Sequence, residues 1–243
     1  MKLLEVQQLT KEFGGLRAVD RLDLAITEGM TLGLIGPNGA GKSTAFNCIA
    51  GLFPVTAGRV VYKGNDITEL KSYDVCRKGI ARTFQLSKPF PNKSVLKNVM
   101  VGGFLSTTDR KQAEEKALEV LEFVNLIEKK DVLGKSLTVA DRKRLELARA
   151  LATDPALLLL DEVMAGLRPA EVDEVIRIIR KINERGITVF LIEHIMQAIM
   201  SLSNFIVVIH YGKKIAEGKP EEIASDEKVI KAYLGEEYVL AGN

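Results

Sequence analysis

Apolar and polar residues alternate near the start of the chain in the pattern of a half-buried strand. Residues 22–27, LDLAIT, alternate with a period of two, and Leu4 and Val6 show the same spacing. A further strand and turn are predicted for 60–67, where Gly64 and Asn65 interrupt an apolar run. The first part of the chain is therefore predicted to contain antiparallel β structure.

The middle of the chain changes to a helical period. From Thr108 to Val124, apolar residues recur on one stripe with charged residues opposite, and a second amphipathic helix is predicted from Asp141 to Leu151. This region is interpreted as a separate helical lobe.

After Asp154 and Pro155, strands and helices alternate. Apolar strands are predicted for 156–160, 188–192 and 204–209, and a helix for 170–185 that stops at Gly186. This order implies a parallel sheet with crossover helices, so the predicted fold class is α/β.

One glycine-rich segment carries a specific chemical signal. The segment 36–43, GPNGAGKS, satisfies G-x-x-x-x-G-K-[ST], with an apolar strand before it and a helix-compatible run at 44–50 after it. Glycines allow successive N–H groups to point at phosphate oxygens, and the helix N-terminus adds partial positive charge. Lys42 would reach the β and γ phosphates of ATP, and the Ser43 hydroxyl would bind Mg²⁺. The alternative is a glycine-rich turn without a ligand. The residues expected to hold the nucleotide here are Gly36, Asn38, Gly39, Gly41, Lys42, Ser43 and Thr44.

Two carboxylates follow the apolar run 157–160. Asp161 and Glu162 would leave the C-terminal end of a buried strand, where ligands bind in open α/β sheets. Asp161 could then hold the Mg²⁺ shell through water while Glu162 polarises the attacking water. Alternatively, one of the two merely caps the next helix.

His194 follows the predicted strand 188–192 and would reach the same edge of the sheet. A lone histidine is usually structural, but beside a phosphate loop and an acidic pair a contact to the γ-phosphate becomes the favoured interpretation.

Composition removes several classes of function. The chain has 243 residues, 47% hydrophobic and 27% charged, with a formal charge of +2 and interspersed signs, so no nucleic-acid footprint stands out. Cys48 and Cys76 lie far apart without metal-ligand spacing, which gives no support for a disulfide framework or a zinc site. The apolar stretches fall far below the roughly 20 residues that span a bilayer, so no transmembrane segment is expected.

Taken together, these motifs resemble the nucleotide-binding subunit of an ABC transporter over nearly the whole chain. Three segments are similar to sequences of the branched-chain amino acid uptake group: ARTFQ at 81–85, LIEH at 191–194 and AYLGE at 232–236. By this resemblance, Phe13 stacks on adenine, Gln85 touches Mg²⁺ and links two lobes, and His194 is the switch histidine. The catalytic set would be Glu162, His194 and Gln85, with Ser43, Gln85 and Asp161 around the metal.

The resemblance also implies an organisation and partners. It implies a RecA-like P-loop NTPase core with an antiparallel β part, residues 1–85 and 152–243, and a helical subdomain at 86–151. The expected role is ATP hydrolysis that drives import through permease subunits, with the chain held peripherally at the cytoplasmic face of the membrane. A second ATP-binding subunit, identical or homologous, would complete the site, and a solute-binding protein would act only indirectly. Residues 86–100 would receive a helix of the permease, or would form only a proline-bearing surface connection.

The chain departs from the family at the signature LSGGQ, where it has Leu137, Thr138, Val139, Ala140 and Asp141. In the family this loop binds the γ-phosphate held by the opposite subunit. Valine disfavours the φ values open to glycine, and a carboxylate 5 Å from a phosphate charge costs roughly 3 kcal/mol at an effective dielectric of 20. Closure would weaken about a hundredfold. The repulsion vanishes if Asp141 caps its helix and turns away.

A second departure follows the acidic pair, where Val163 replaces a proline and Arg168 stands at an aspartate position. Both departures concern the partner's nucleotide, which leads to the hypothesis of an asymmetric pair. Two other functions stay open: a regulatory or low-activity nucleotide-binding subunit, and a non-transport ATPase of the same fold.

Overall fold

A computed structural model describes residues 1–84 and 89–234. Among these residues the strands are β1 Lys2–Phe13, β2 Leu16–Thr27, β3 Thr31–Ile35, β4 Ala57–Tyr62, β5 Asn65–Asp66, β6 Ile80–Arg82, β7 Leu157–Asp161, β8 Thr188–Ile192, β9 Phe205–His210 and β10 Lys213–Gly218. The α-helices are α1 Lys42–Ile49, α2 Ser72–Arg77, α3 Val95–Gly103, α4 Arg110–Phe123, α5 Val139–Leu151, α6 Pro169–Glu184, α7 Met196–Leu202, α8 Pro220–Ala224 and α9 Glu227–Leu234. The chain divides into two compact units: residues 1–75 with those from Thr188 onward, and Cys76–Ile187.

The first unit contains an antiparallel sheet and a mainly parallel one. Strands β2, β1, β4 and β5 form the antiparallel sheet in that order. Strand β3 lies between β8 and β9 and is parallel to both, while β10 returns antiparallel to β9. Every residue of β3 and β8 is buried, which explains why these strands are continuous apolar runs rather than alternating ones. The carboxyl ends of β3 and β8 therefore lie at one edge of the sheet.

The second unit pairs a short parallel ribbon with helices. Strand β6 runs parallel to β7, and the four leucines of β7 are fully buried, each contributing about 1.5–3 kcal/mol through apolar burial. Helix α6 buries residues 172, 175, 176, 178, 179 and 182 and ends at Glu184, two residues before Gly186, whose φ is 86°.

The predicted α/β fold class is confirmed, and the elements match closely where the pattern was long. Strand β8 has the predicted bounds, and α4 and α6 differ from the prediction by one or two residues at each end. Helix α5 begins at Val139 rather than Asp141, so it includes most of the altered signature. The elements that periodicity did not identify are short or glycine-containing, such as β6 with three residues and α3, which ends in two glycines. The predicted domain division stays a prediction, with a core formed by residues 1–85 and 152–243 and a helical subdomain formed by residues 86–151.

Within 1–84 and 89–234, none of the helices combines the length and the apolar character that crossing a bilayer requires.

Candidate functional site

The phosphate loop joins β3 to α1, and its backbone explains the glycines. Gly41 caps α1 with φ of 102°, and a Cβ there would lie 2.3 Å from the carbonyl oxygen of Ala18. Only glycine can occupy this position without a shift of the backbone. Gly39 also has a left-handed φ, 79°, but a Cβ there would meet nothing within 4 Å. Gly39 therefore suits the loop through its backbone conformation alone. Gly41 is needed both for its conformation and for its close approach to the Ala18 carbonyl.

Lys42 lies over the loop that precedes it. Its side chain is buried, and its ammonium group donates hydrogen bonds to the carbonyl oxygens of Gly36 at 2.6 Å and Pro37 at 2.9 Å. Ser43 and Thr44 follow in the first turn of α1, which contains no acidic residue. A cation and a helix N-terminus therefore converge where a phosphate would bind, with no carboxylate in that turn to oppose an anion.

Phe13 ends strand β1 and keeps much of its surface in solvent. Its ring meets Phe53 edge-on at 5.4 Å between centroids, the ammonium of Lys11 lies 4.7 Å from its centre, and 43% of the residue is exposed. An exposed ring fixed by two neighbours is suited to stacking on a flat heterocycle, although stacking on adenine stays a prediction.

His194 follows β8 by two residues and is exposed at the sheet edge where β3 also ends. Glu193 beside it is buried. The backbone thus brings His194 to the same edge as the phosphate loop, as the strand pattern predicted, and its role with the γ-phosphate stays a prediction. Gln85 lies outside the described residues.

The acidic pair ends β7 in the second unit. Asp161 is 1% exposed; its Oδ2 accepts a hydrogen bond from Arg82 at 2.7 Å, and its Oδ1 is buried without a hydrogen-bond partner. Burial raises the pKa of Asp161 above its ordinary value, while the Arg82 guanidinium opposes that rise. Glu162 is partly exposed and holds φ of 51°, in the left-handed region that non-glycine residues seldom occupy. Such strain persists only where surrounding contacts maintain it.

One of those contacts comes from α5. The buried Lys143 donates a hydrogen bond from its ammonium to the backbone carbonyl of Glu162 at 3.0 Å. Because the bond is made to the backbone, it holds the turn at Glu162 and does not itself involve the carboxylate. Sequence reasoning missed Lys143, which appears in the sequence only as one of many charged residues on an amphipathic helix.

The altered signature forms the first turn of α5. Thr138 is the N-cap, and its hydroxyl accepts a hydrogen bond from the backbone N–H of Asp141 at 3.2 Å. Val139 and Ala140 have no positive φ, so the helical backbone there does not require glycine. The expectation that valine strains this loop is therefore wrong, because the positions have right-handed helical conformation. Val139 is 57% exposed.

The side chain of Asp141 is buried within the second unit. It is 2% exposed and accepts hydrogen bonds from Lys129 at 2.5 Å and from Arg144 at 2.6 Å, and the Thr138 hydroxyl lies 2.8 Å from its carboxylate. Burial acts to raise the pKa of Asp141, but the Lys129 and Thr138 hydrogen bonds and the charges of Lys129 and Arg144 outweigh burial, so the pKa lies below its ordinary value. The expected repulsion of a partner's phosphate is wrong for this conformation, because two cations already neutralise the carboxylate.

Arg168, the second departure, caps α6. Its backbone N–H and its guanidinium both donate to the Glu171 carboxylate, at 2.9 and 2.7 Å, while 83% of its side chain is exposed. The position therefore presents a cation rather than an anion to solvent.

The loop before α3 is held by one buried amide. Asn98 is fully buried; its oxygen accepts from the Phe90 N–H at 2.7 Å, and its nitrogen donates to the carbonyls of Phe90, Lys93 and Ser94 at 2.9 to 3.2 Å. Phe90 is thereby fixed although 43% of it is exposed. Asn98 was not identified from sequence, since a single asparagine in a helix carries no distinctive pattern.

Comparisons with known proteins identify a family and similar structures. A family described as "ABC transporter" matches residues 19–165, and one described as "Branched-chain amino acid ATP-binding cassette transporter" matches residues 213–239. The chain is 40% identical to the high-affinity branched-chain amino acid transport ATP-binding protein BraF of Pseudomonas aeruginosa, covering 96% of this chain and 98% of that protein. It is 37% identical to the corresponding protein LivG of Escherichia coli, with the same coverage. A crystal structure of the ADP conformation of an ATP-binding cassette of an ABC transporter superposes with a TM-score of 0.88 at 30% identity, covering 97% of this chain and all of that one.

Proposed function

This chain belongs to the ABC transporter family of ATP-hydrolysing subunits, and we propose that it powers the import of branched-chain amino acids or similar solutes. The family match at residues 213–239 and the names of the similar proteins support this solute class over others. The observation that carries the ATPase role is the phosphate loop, in which Gly41 and Lys42 shape an anion cradle at the start of α1.

In this proposal each motif contributes its own groups to nucleotide chemistry. The phosphate loop holds the phosphates, Lys42 pairs with the β and γ phosphates, and Phe13 holds adenine. Glu162 orients the attacking water as general base, and His194 and Gln85 complete the catalytic set. These roles rest on the positions of the residues in the motifs.

Mg²⁺ would be held by Ser43 and Gln85 directly and by Asp161 through water. The fit is favourable, because Asp161 keeps one buried oxygen without a protein partner. In the described part of the chain, no group of three or more His, Cys, Asp or Glu is placed to hold a metal ion. When bound, Mg²⁺ neutralises charge that develops on the phosphates.

The signature turn keeps the elements that bind an anion. The N–H groups of Val139 and Ala140 at the start of α5 have no acceptor within the helix, and Asp141 is neutralised by its neighbours. We therefore keep a second ATP-binding subunit as the partner that this turn contacts. The asymmetric pair now depends on the bulk of Val139 and on Arg168, not on the charge of Asp141.

A permease subunit is the proposed membrane partner. Phe90, Val101 and Phe104 are each more than two-fifths exposed, and Asn98 fixes the loop that carries Phe90. Exposed apolar residues on a rigid support are suited to receive an amphipathic helix. The chain would thus act at the cytoplasmic face of the membrane, bound to the permease.

The proposal is tested by uptake of radiolabelled leucine in cells that lack the chain. Wild-type chain restores uptake, whereas Lys42→Ala and Glu162→Gln do not, and uptake of lysine serves as the control solute. Normal leucine uptake without the chain, together with a defect for another solute, would reject the solute class. Wild-type ATPase activity in purified Glu162→Gln would reject the catalytic assignment.

A further inference from the structure

Arg82 and Thr83 of the ARTFQ segment both contact Asp161, and no role assigned above uses them. Strand β6 runs parallel to β7, with Arg82 opposite Leu159, and the Thr83 N–H continues this pairing by donating to the Leu159 carbonyl at 2.9 Å. The register thus places these two side chains beside the end of β7.

The two residues hold different parts of Asp161. The Arg82 guanidinium donates to Oδ2 at 2.7 Å, and the fully buried Thr83 hydroxyl accepts from the Asp161 backbone N–H at 3.2 Å. Arg82 is itself only 10% exposed. A carboxylate with its backbone and one oxygen fixed cannot rotate freely, so its second oxygen has a defined direction.

That second oxygen is the unusual feature. Oδ1 is buried without a hydrogen-bond partner in a residue that is 1% exposed. A buried charged acceptor without a partner costs free energy, and such an atom persists when it serves a ligand or an ordered water. The arrangement thus resembles an outer-shell contact, in which one group orients a second that meets the metal shell.

We infer that Arg82 is a positioning residue for Mg²⁺: it occupies Oδ2 of Asp161 and directs Oδ1 to the water shell of the ion, with Thr83 fixing the backbone. This inference rests on the proposed role of Asp161. The contact is a single hydrogen bond from one guanidinium nitrogen to Oδ2, so it fixes that oxygen and leaves Oδ1 for the water shell of the ion.

The experiment measures nucleotide affinity of the purified chain with a fluorescent ATP analogue, in EDTA and in saturating Mg²⁺. In EDTA, Arg82→Met binds the analogue as wild type does, because the phosphate loop is intact. The affinity gained on adding Mg²⁺ falls about 10- to 100-fold, the loss typical of a removed outer-shell partner. Arg82→Lys restores only part of this gain, since the charge is kept but the shorter ammonium does not reproduce the guanidinium contact to Oδ2.

Two variants control for other causes. Arg149→Met breaks another arginine contact to a buried carboxylate, that of Glu146 at 2.9 Å, and is expected to keep the full Mg²⁺ effect. Asp161→Asn tests the underlying assignment, and an unchanged Mg²⁺ effect in that variant would reject the role of Asp161 itself.

The inference is overturned if Asp161→Asn loses the Mg²⁺ effect while Arg82→Met and Arg82→Lys keep it. Tighter Mg²⁺-dependent binding in Arg82→Met would also overturn it, because Arg82 would then act as a competing cation. If Arg82→Met does not fold, Arg82→Lys and Thr83→Val decide: both are expected to lose part of the Mg²⁺ effect at unchanged affinity in EDTA, and full retention in both refutes the role.

Discussion

Replacing Asp141 by glutamine, the residue of the family signature, should weaken the chain rather than improve it. The carboxylate accepts hydrogen bonds from Lys129 and Arg144, and a glutamine oxygen would face both cations without the negative charge that pairs with them. A hydrogen bond to a charged group contributes about 1.5–3 kcal/mol net. Lys129 can return to water, and Arg144 keeps its contact with Glu174 at 2.7 Å, so we expect a loss of about 2–4 kcal/mol in unfolding free energy.

That loss is large enough to measure by thermal unfolding. For a chain of this size, 1 kcal/mol corresponds to about 2–4 °C, so Asp141→Gln should unfold about 5–15 °C lower at pH 7. Asp173→Asn is the matched control, because Asp173 is an exposed acid on α6, where a surface change is typically within about 0.5 kcal/mol.

The pH dependence supplies an independent check. Because the pKa of Asp141 is lowered in the folded chain, its stabilisation is present above the unfolded value of about 3.9 and is lost as pH falls through the folded pKa. The gap in melting temperature between wild type and Asp141→Gln should stay constant at neutral pH and close below about pH 4.

Two observations together would contradict this prediction for Asp141→Gln: an unchanged melting temperature and tighter association in ATP. If Asp141→Gln melts with wild type and associates about a hundredfold more tightly in ATP, the carboxylate faces a partner's phosphate. The internal ion pairs would then be incorrect, and the original charge-repulsion hypothesis would be restored.

Three further variants test other contacts. Gly41→Ala should abolish ATP binding, because it adds a backbone clash to a left-handed φ. Gly39→Ala meets only the conformational cost and should keep measurable affinity for ATP, so an equal loss of affinity in both variants would contradict this explanation. Asn98→Leu removes four hydrogen bonds from a buried site and should lower unfolding free energy by about 2–4 kcal/mol, measured in urea; an unchanged midpoint would refute its role as the loop's anchor. Lys143→Met should lower the hydrolysis rate at unchanged ATP affinity, because it releases the turn at Glu162, and a normal rate would show that this bond does not set the geometry.

The phosphate loop and the apolar strands could be predicted from sequence because each is a local pattern. A glycine at a left-handed φ, a lysine at the first helical position and a fully buried strand are all encoded within a few neighbouring residues. Helix α6 was predictable for the same reason, since its apolar stripe recurs over 16 residues.

The contacts around the acidic pair could not be predicted in the same way. Arg82 and Asp161 are 79 positions apart, and Lys143 reaches Glu162 across 19. Each contact depends on the register of β6 on β7 or on the direction of α5, and neither is present in local periodicity. The segment ARTFQ resembled a group of related proteins without indicating that its arginine and threonine hold Asp161.

The signature turn illustrates how a motif change can be misjudged when each residue is considered alone. Asp141 replaced a neutral glutamine, but Lys129 and Arg144 lie beside it and remove the excess charge. Val139 replaced a glycine, but its position is the first of a right-handed helix, where a side chain is tolerated. The change that the fold does not absorb is the exposed bulk of Val139, and this side chain, not the anion, is therefore the group whose replacement by glycine should strengthen ATP-dependent association. A Val139→Gly variant that associates no more tightly than wild type, measured by light scattering in ATP, would leave no physical basis for an asymmetric pair in this turn.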